Sequence, residues 1–295
     1  MRILVTNDDG VHAPGLAALV RALDEWVVAA ADGETRDVVV VAPLANQSGA
    51  SAAVGTVYER ESIGYRAVRI DGVENIAVYG LDASPALSTI VGSLGGFGPK
   101  PDLIFSGINL GVNVGRSVLH SGTVGAVLTG AQLGVSGLAV SMRSGADPTP
   151  WETASATAVA LIPALAAAPP GTVLNLNLPS VPLKELKGIR RARVGTAGIV
   201  KAAQDPAHPA DDATTGRVGG GPFESGSRQG EIRLRLGAAV PSLGDIADED
   251  PDDDASLVAA GYASLTPIVG VREETGPRAD GLLEAAMRDV EQFLS

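Results

Sequence analysis

Residues 38–41 are four consecutive valines, flanked by Asp37 and by Ala42-Pro43. A strand sends alternate side chains to opposite faces, so an unbroken β-branched run describes a strand covered on both sides. Strands of that kind belong to parallel sheets with helices packed over each face. The first two-thirds of the chain agree with this frame. Residues 3–5 read as a strand. Pro14 suits a first helical turn, and Leu16, Leu19, Val20 and Leu23 follow at helical spacing. Residues 26–36 read as an extended helix end plus a loop, 57–79 as short strands with turns, and 83–94 as a helix. Residues 102–105 read as a buried strand, followed by a long Gly/Asn/Ser loop. A helix over 121–133, a strand over 137–141, a helix over 151–167 bent at Pro163 and a strand over 173–178 complete the alternation. The expected fold class is α/β, with a doubly wound, mainly parallel sheet.

From about residue 195 the character changes. Residues 202–230 are rich in Gly, Pro, Asp and Ser and read as a loop or arm. Residues 231–236 alternate with period two, as a half-exposed strand does. Leu283, Met287, Val290 and Leu294 share one face of a terminal amphipathic helix. The expected organisation is a core over residues 1–200, with 201–295 adding an arm, a strand and a helix to the same domain.

Composition excludes several classes. With no cysteine, disulfides and thiolate metal sites are absent. There is no basic leader followed by a long apolar stretch, and no run reaches the roughly 18 apolar residues of a membrane span. The expectation is a soluble, cytoplasmic protein without a membrane partner. A net charge of −12 disfavours duplex nucleic acid, which rewards Lys/Arg patches. Seven of the negatives lie within residues 245–254, a stretch that reads as a solvated loop.

Three loops carry chemistry. Asn7-Asp8-Asp9-Gly10 follows the first strand, residues 45–51 follow the valine strand, and residues 106–115 follow Phe105. All three leave the carboxyl ends of parallel strands, where open α/β sheets bind ligands. Adjacent carboxylates repel unless a cation lies between them. Together the loops offer an all-oxygen donor set suited to a hard divalent metal. Ser121-Gly122-Thr123 opens a helix whose N-terminus can receive phosphate, although Ser121 and Thr123 also have the simpler use of capping it. His12, three residues after the Asp pair, is the candidate proton donor; His120 lies near the same loops and His208 lies in the arm.

Residues 1–15, with Gln47-Ser48-Gly49, Ser106-Gly107-Ile108-Asn109, Asn113, Gly115 and Ser121-Gly122-Thr123-Val124, resemble the SurE family of survival-protein 5′/3′-nucleotidases. Residues 174–179 and 261–267 resemble later signatures of that family. The resemblance implies a Rossmann-like core and hydrolysis of nucleoside 5′- or 3′-monophosphates with Mg²⁺ or Mn²⁺. It implies metal ligands Asp8, Asp9, Ser48 and Asn109, with Asn7, Asn113, Ser121, Gly122 and Thr123 toward the phosphate. It also implies a homodimer or tetramer exchanging C-terminal segments, for which residues 202–236 and the final helix are the candidates. Leu44, Gln47, Arg116, Ser117, His120 and Thr129 depart from the family pattern; the lost carboxylates and the gained Arg116 make the pocket rim more positive. The alternatives are a metal- or nucleotide-binding protein with weak catalysis, or a phosphatase for another phosphorylated metabolite or polyphosphate.

Overall fold

The computed structural model describes residues 1–31, 33–55, 57, 61–196, 250–271 and 287–288. Among the described residues nine strands form one sheet: β1 (Arg2–Thr6), β2 (Asp37–Pro43), β3 (Tyr65–Val68), β4 (Ala77–Leu81), β5 (Leu103–Leu110), β6 (Ser136–Met142), β7 (Val173–Leu178), β8 (Ile189–Arg191) and β9 (Ala263–Ile268). Their spatial order is β3-β4-β2-β1-β5-β6-β7-β9-β8. The six central strands, β4 to β7, are mutually parallel. β3 runs antiparallel to β4 and β9 antiparallel to β7, while β8 is parallel to β9. The described helices are α1 (Pro14–Val28), α2 (Pro85–Ser93), α3 (Gly122–Gln132), α4 (Trp151–Ala160), α5 (Ile162–Ala166) and α6 (Asp254–Ala259).

The valine run behaves as its chemistry demands. Val38 and Val40 join the core on one face, with Ile3, Val5 and the α1 residues Leu16, Leu19, Val20 and Leu23. Val39 and Val41 join the other face, with Leu4 and the α3 residues Val124 and Val127. Helices therefore cover both sides, as a doubly wound sheet requires. α1 lies unusually close to β5: a Cβ built on Gly15 would sit 2.0 Å from the carbonyl oxygen of Ile108.

Three expectations change. The loop placed after Phe105 is in part strand, because β5 continues to Leu110 and pairs with β6 again at Asn109 after an irregularity. Glycine content concealed this: Gly107 adopts φ +137° within the strand. The helix over 151–167 is two helices meeting at Leu161, with Pro163 in the first turn of α5, where a missing N–H costs nothing. The acidic stretch is not uniformly solvated. Asp253 caps α6 by accepting from the Ser256 N–H at 2.6 Å, and both Asp253 and Asp254 are buried.

The arm over 202–230, the strand over 231–236, His208 and nearly all of the terminal helix fall outside the described residues. Among the described residues no helix is long and apolar enough to cross a membrane.

Candidate active site

β2, β1 and β5 are adjacent and parallel, so the three loops leave the same edge of the sheet. Hydrogen bonds join them there. The Gln47 N–H donates to the Asp8 carbonyl at 2.7 Å, tying the second loop to the first. The Leu110 N–H donates to Asp9 Oδ2 at 3.3 Å, tying β5 to the first. Thr123 Oγ1, at the start of α3, donates to Asp8 Oδ1 at 2.6 Å across 115 residues of chain. Three distant segments thus meet the turn that carries the two carboxylates.

The turn that presents them is built locally. Gly10 has φ +100°, and a Cβ there would lie 3.1 Å from the Ala45 backbone, so the first loop can lie against the second only with glycine. Asn7 is fully buried, and its amide closes the turn by donating to the Gly10 carbonyl at 2.9 Å. That bond fixes the turn on which Asp8 and Asp9 stand. Ser48 is exposed in a tight turn where its N–H donates to Asn46 Oδ1 at 2.7 Å. Asn109 is half-buried, and its amide donates to the Gly111 carbonyl at 2.5 Å. His12 and His120 are both exposed.

Asp8 is held above the ordinary carboxylate range by burial, opposed by the Thr123 hydroxyl and by N–H groups that include those of Gly122 and Thr123. Asp9 is also raised, first by burial and then by the negative charge of Asp8, with the Leu110 N–H acting the other way. Among the described residues neither carboxylate has a basic side chain paired with it, and no group of three or more His, Asp or Glu is arranged to hold a metal ion by itself. Two like charges without a cationic side chain, beside neutral oxygens, fit a hard divalent ion as their missing countercharge.

The first turn of α3 has two tasks. Ser121 caps the helix, its Oγ accepting from the Val124 N–H at 3.1 Å, as the simpler use expected. Thr123 is fully buried and its hydroxyl is committed to Asp8. Gly122 is close beneath the same carboxylate: a Cβ there would meet Asp8 Cβ at 2.7 Å. Thr123→Val keeps the shape and removes the hydrogen bond that favours ionised Asp8. Mn²⁺ affinity should fall about 10- to 100-fold, and the deficit should widen as pH falls, because protons then compete better for Asp8. Calorimetric titration at several pH values measures both.

Two residues that sequence reasoning left without a role support Asn113. Asn175 and Asn177, fully buried on β7, donate to the Asn113 carbonyl at 2.7 and 3.0 Å, and Asn177 Oδ1 accepts the Asn113 N–H at 2.7 Å. The Asn113 amide itself donates to Ser141 Oγ at 2.8 Å. Two asparagines two residues apart in an otherwise apolar strand, hence on one face, were the available signal. Of the departures from the family pattern, Gln47 touches the site through its backbone, and Leu44 packs over Gly80. Arg116 and His120 are exposed on the 3-10 turn Gly115–His120, and the Thr129 hydroxyl donates to the Gly125 carbonyl within α3.

Comparison with known proteins points the same way. The family model described as survival protein SurE matches residues 3–201. The 5′/3′-nucleotidase SurE of Cronobacter sakazakii is 36% identical over 270 residues, covering 91% of this chain and 90% of that protein. The enzyme of the same name from Salmonella typhi gives the same identity and coverage. The crystal structure of the SurE protein from Aquifex aeolicus superposes with a TM-score of 0.62 at 27% identity, covering 91% of this chain and 93% of that one.

Proposed function

This chain belongs to the survival protein SurE family, and on that premise we propose that it is a 5′/3′-nucleotidase, hydrolysing nucleoside monophosphates to nucleoside and phosphate. The observation that carries the assignment is the meeting of Asp8 and Asp9 with Gln47, Leu110 and Thr123 at one sheet edge. In this proposal Asp8, Asp9, Ser48 and Asn109 hold one Mg²⁺ or Mn²⁺. Bound there, the ion supplies Lewis-acid polarisation of the phosphoryl group and a more acidic water.

The chain's own groups do the rest. Asp8 is fixed in direction by Thr123 and the start of α3, whose donors oppose the rise that burial imposes on it. Asp9 stands more open to the cleft, where it orients the attacking water or attacks phosphorus itself. Asn113 and the Ser121-Gly122-Thr123 turn face the equatorial oxygens, where N–H groups stabilise developing charge. His12, exposed and three residues beyond Asp9, gives a proton to the leaving oxygen. Asn7 holds the turn beneath them.

We further infer that the chain forms a homodimer or tetramer and works in the cytoplasm. Exposed Ile189, Val194 and Val269, at or next to the edge formed by β8 and β9, support self-association. Light scattering on purified protein measures the subunit number.

The test of function is phosphate release from a panel of nucleoside 5′- and 3′-monophosphates and a chromogenic phosphate ester, with Mn²⁺ or Mg²⁺ and with chelator. Metal-dependent release is expected from the nucleotides. Release that ignores the chelator would overturn the metal assignment, and no release from any nucleotide would overturn the activity.

A further inference from the structure

Asp254 lies outside the machinery described so far, yet it reaches it. It is fully buried at the first position of α6 and accepts three backbone N–H groups. Gly115 donates to Oδ2 at 2.9 Å and to Oδ1 at 3.1 Å, Gly195 donates to Oδ1 at 3.1 Å, and Ala255 donates to Oδ1 at 3.0 Å. One carboxylate therefore joins the loop after β5, the segment after β8 and the start of α6. Apolar contact reinforces the junction, because Val112 and Val114 pack on Ala255 and Val258 of α6.

The residue type is informative. Three N–H donors converge on this side chain, and a carboxylate offers two acceptor oxygens and no donor. An amide of the same shape would turn an NH₂ toward at least one of them. No basic side chain pairs with Asp254 among the described residues, and the nearby charge is the like charge of Asp253. Burial pushes the Asp254 carboxyl up to about 6, so the ionised form is costly at neutral pH. Retaining an acid at such a point indicates that what it holds matters more than the stability it forgoes.

What it holds is the turn over residues 111–115. Asn113 is fixed from below by Asn175 and Asn177, and Gly115 is fixed from the side by Asp254. We propose that Asp254 is a positioning residue for phosphate binding, fixing the Gly115 N–H and through it the angle at which Asn113 meets the phosphoryl group. This role rests on the phosphate site proposed above.

The experiment uses the full-length protein and Asp254→Asn. Calorimetry measures Mn²⁺ binding, then inorganic phosphate binding at saturating Mn²⁺, and steady-state kinetics with a nucleoside monophosphate give KM and kcat. The phosphate Kd and KM should rise about tenfold or more, the scale of a lost outer-shell partner, with Mn²⁺ affinity within about twofold of wild type and kcat changed less than KM. Unchanged phosphate affinity overturns the proposal. Equal losses for Mn²⁺ and phosphate overturn it in favour of a general structural role.

If Asp254→Asn does not fold, Gly195→Ala replaces it. Its Cβ would sit 3.3 Å from both Asp253 Oδ2 and Asp254 Oδ1, so it crowds the Asp254 carboxylate, together with that of Asp253, without removing either. Phosphate affinity should fall by a smaller factor with Mn²⁺ affinity kept, and no change overturns the proposal. Wild-type protein that binds phosphate but releases none from nucleotides would sink the nucleotidase assignment while leaving this inference readable.

Discussion

Asp9→Asn is expected to lower kcat/KM for phosphate-ester hydrolysis by about three orders of magnitude, beyond the roughly 10- to 100-fold typical of outer-shell partners. Asp8→Asn should do the same. The expectation follows from the charge balance at the tip of β1. Burial raises both carboxylates, Asp8 raises Asp9 further, and among the described residues no basic side chain answers them. Removing either charge halves the negative field available to a divalent ion.

The same variants make an opposite prediction for metal-free protein. A carboxylate raised above its unfolded value of 3.8 binds protons more tightly when folded. Folding stability then falls as pH rises through the interval between the two values, and at neutral pH the ionised pair is a net burden. Metal-free Asp9→Asn should therefore melt no lower than metal-free wild type at pH 7. Added Mn²⁺ should raise the melting temperature of wild type through mass action and leave the variant nearly unmoved. Thermal melts with Mn²⁺ and with chelator give all four values. Full activity in both variants would end the assignment of Asp8 and Asp9.

Gly15→Ala should destabilise the fold by about 3 kcal/mol, at the upper end for overpacking. The added methyl would lie 2.0 Å from the Ile108 carbonyl oxygen and 3.0 Å from the Trp151 ring. The first obstacle is backbone and cannot rotate aside, so α1 must move off β5. Gly64→Ala is the control: nothing lies within 4 Å of its Cβ, and the change should stay within about 0.5 kcal/mol. Urea denaturation of the three proteins measures both. Because Ile108 precedes Asn109, the strained variant should also lose Mn²⁺ affinity.

How far the sequence could be read depended on how local the cause was. The valine strand, the α1 stripe and the Asp8-Asp9 turn follow from neighbouring residues, and each lies where its pattern required. The convergence of three loops followed from one rule about parallel sheets, together with the strand signals. Glycine misled at residues 107–111, where loop composition conceals a strand. Asp254 misled more, because a run of acids looks solvated until the partner chain segments are known. Its donors, Gly195 and Gly115, lie 59 and 139 residues away. Thr123 was legible as part of a helix start, but its bond to Asp8 was not, since that depends on the docking of α3.

The order of strands has a consequence for biosynthesis. β9, from residues 263–268, separates β7 from β8, and among the described residues β8 pairs in the sheet with β9 alone. A nascent chain can assemble β1 to β7 as it leaves the ribosome, but the outer side of β7 stays bare until residue 268 has emerged. For that interval β7 offers unsatisfied N–H and C=O groups to any passing strand. Slow translation over the last stretch before residue 263 should therefore raise aggregation of newly made protein without altering the finished molecule.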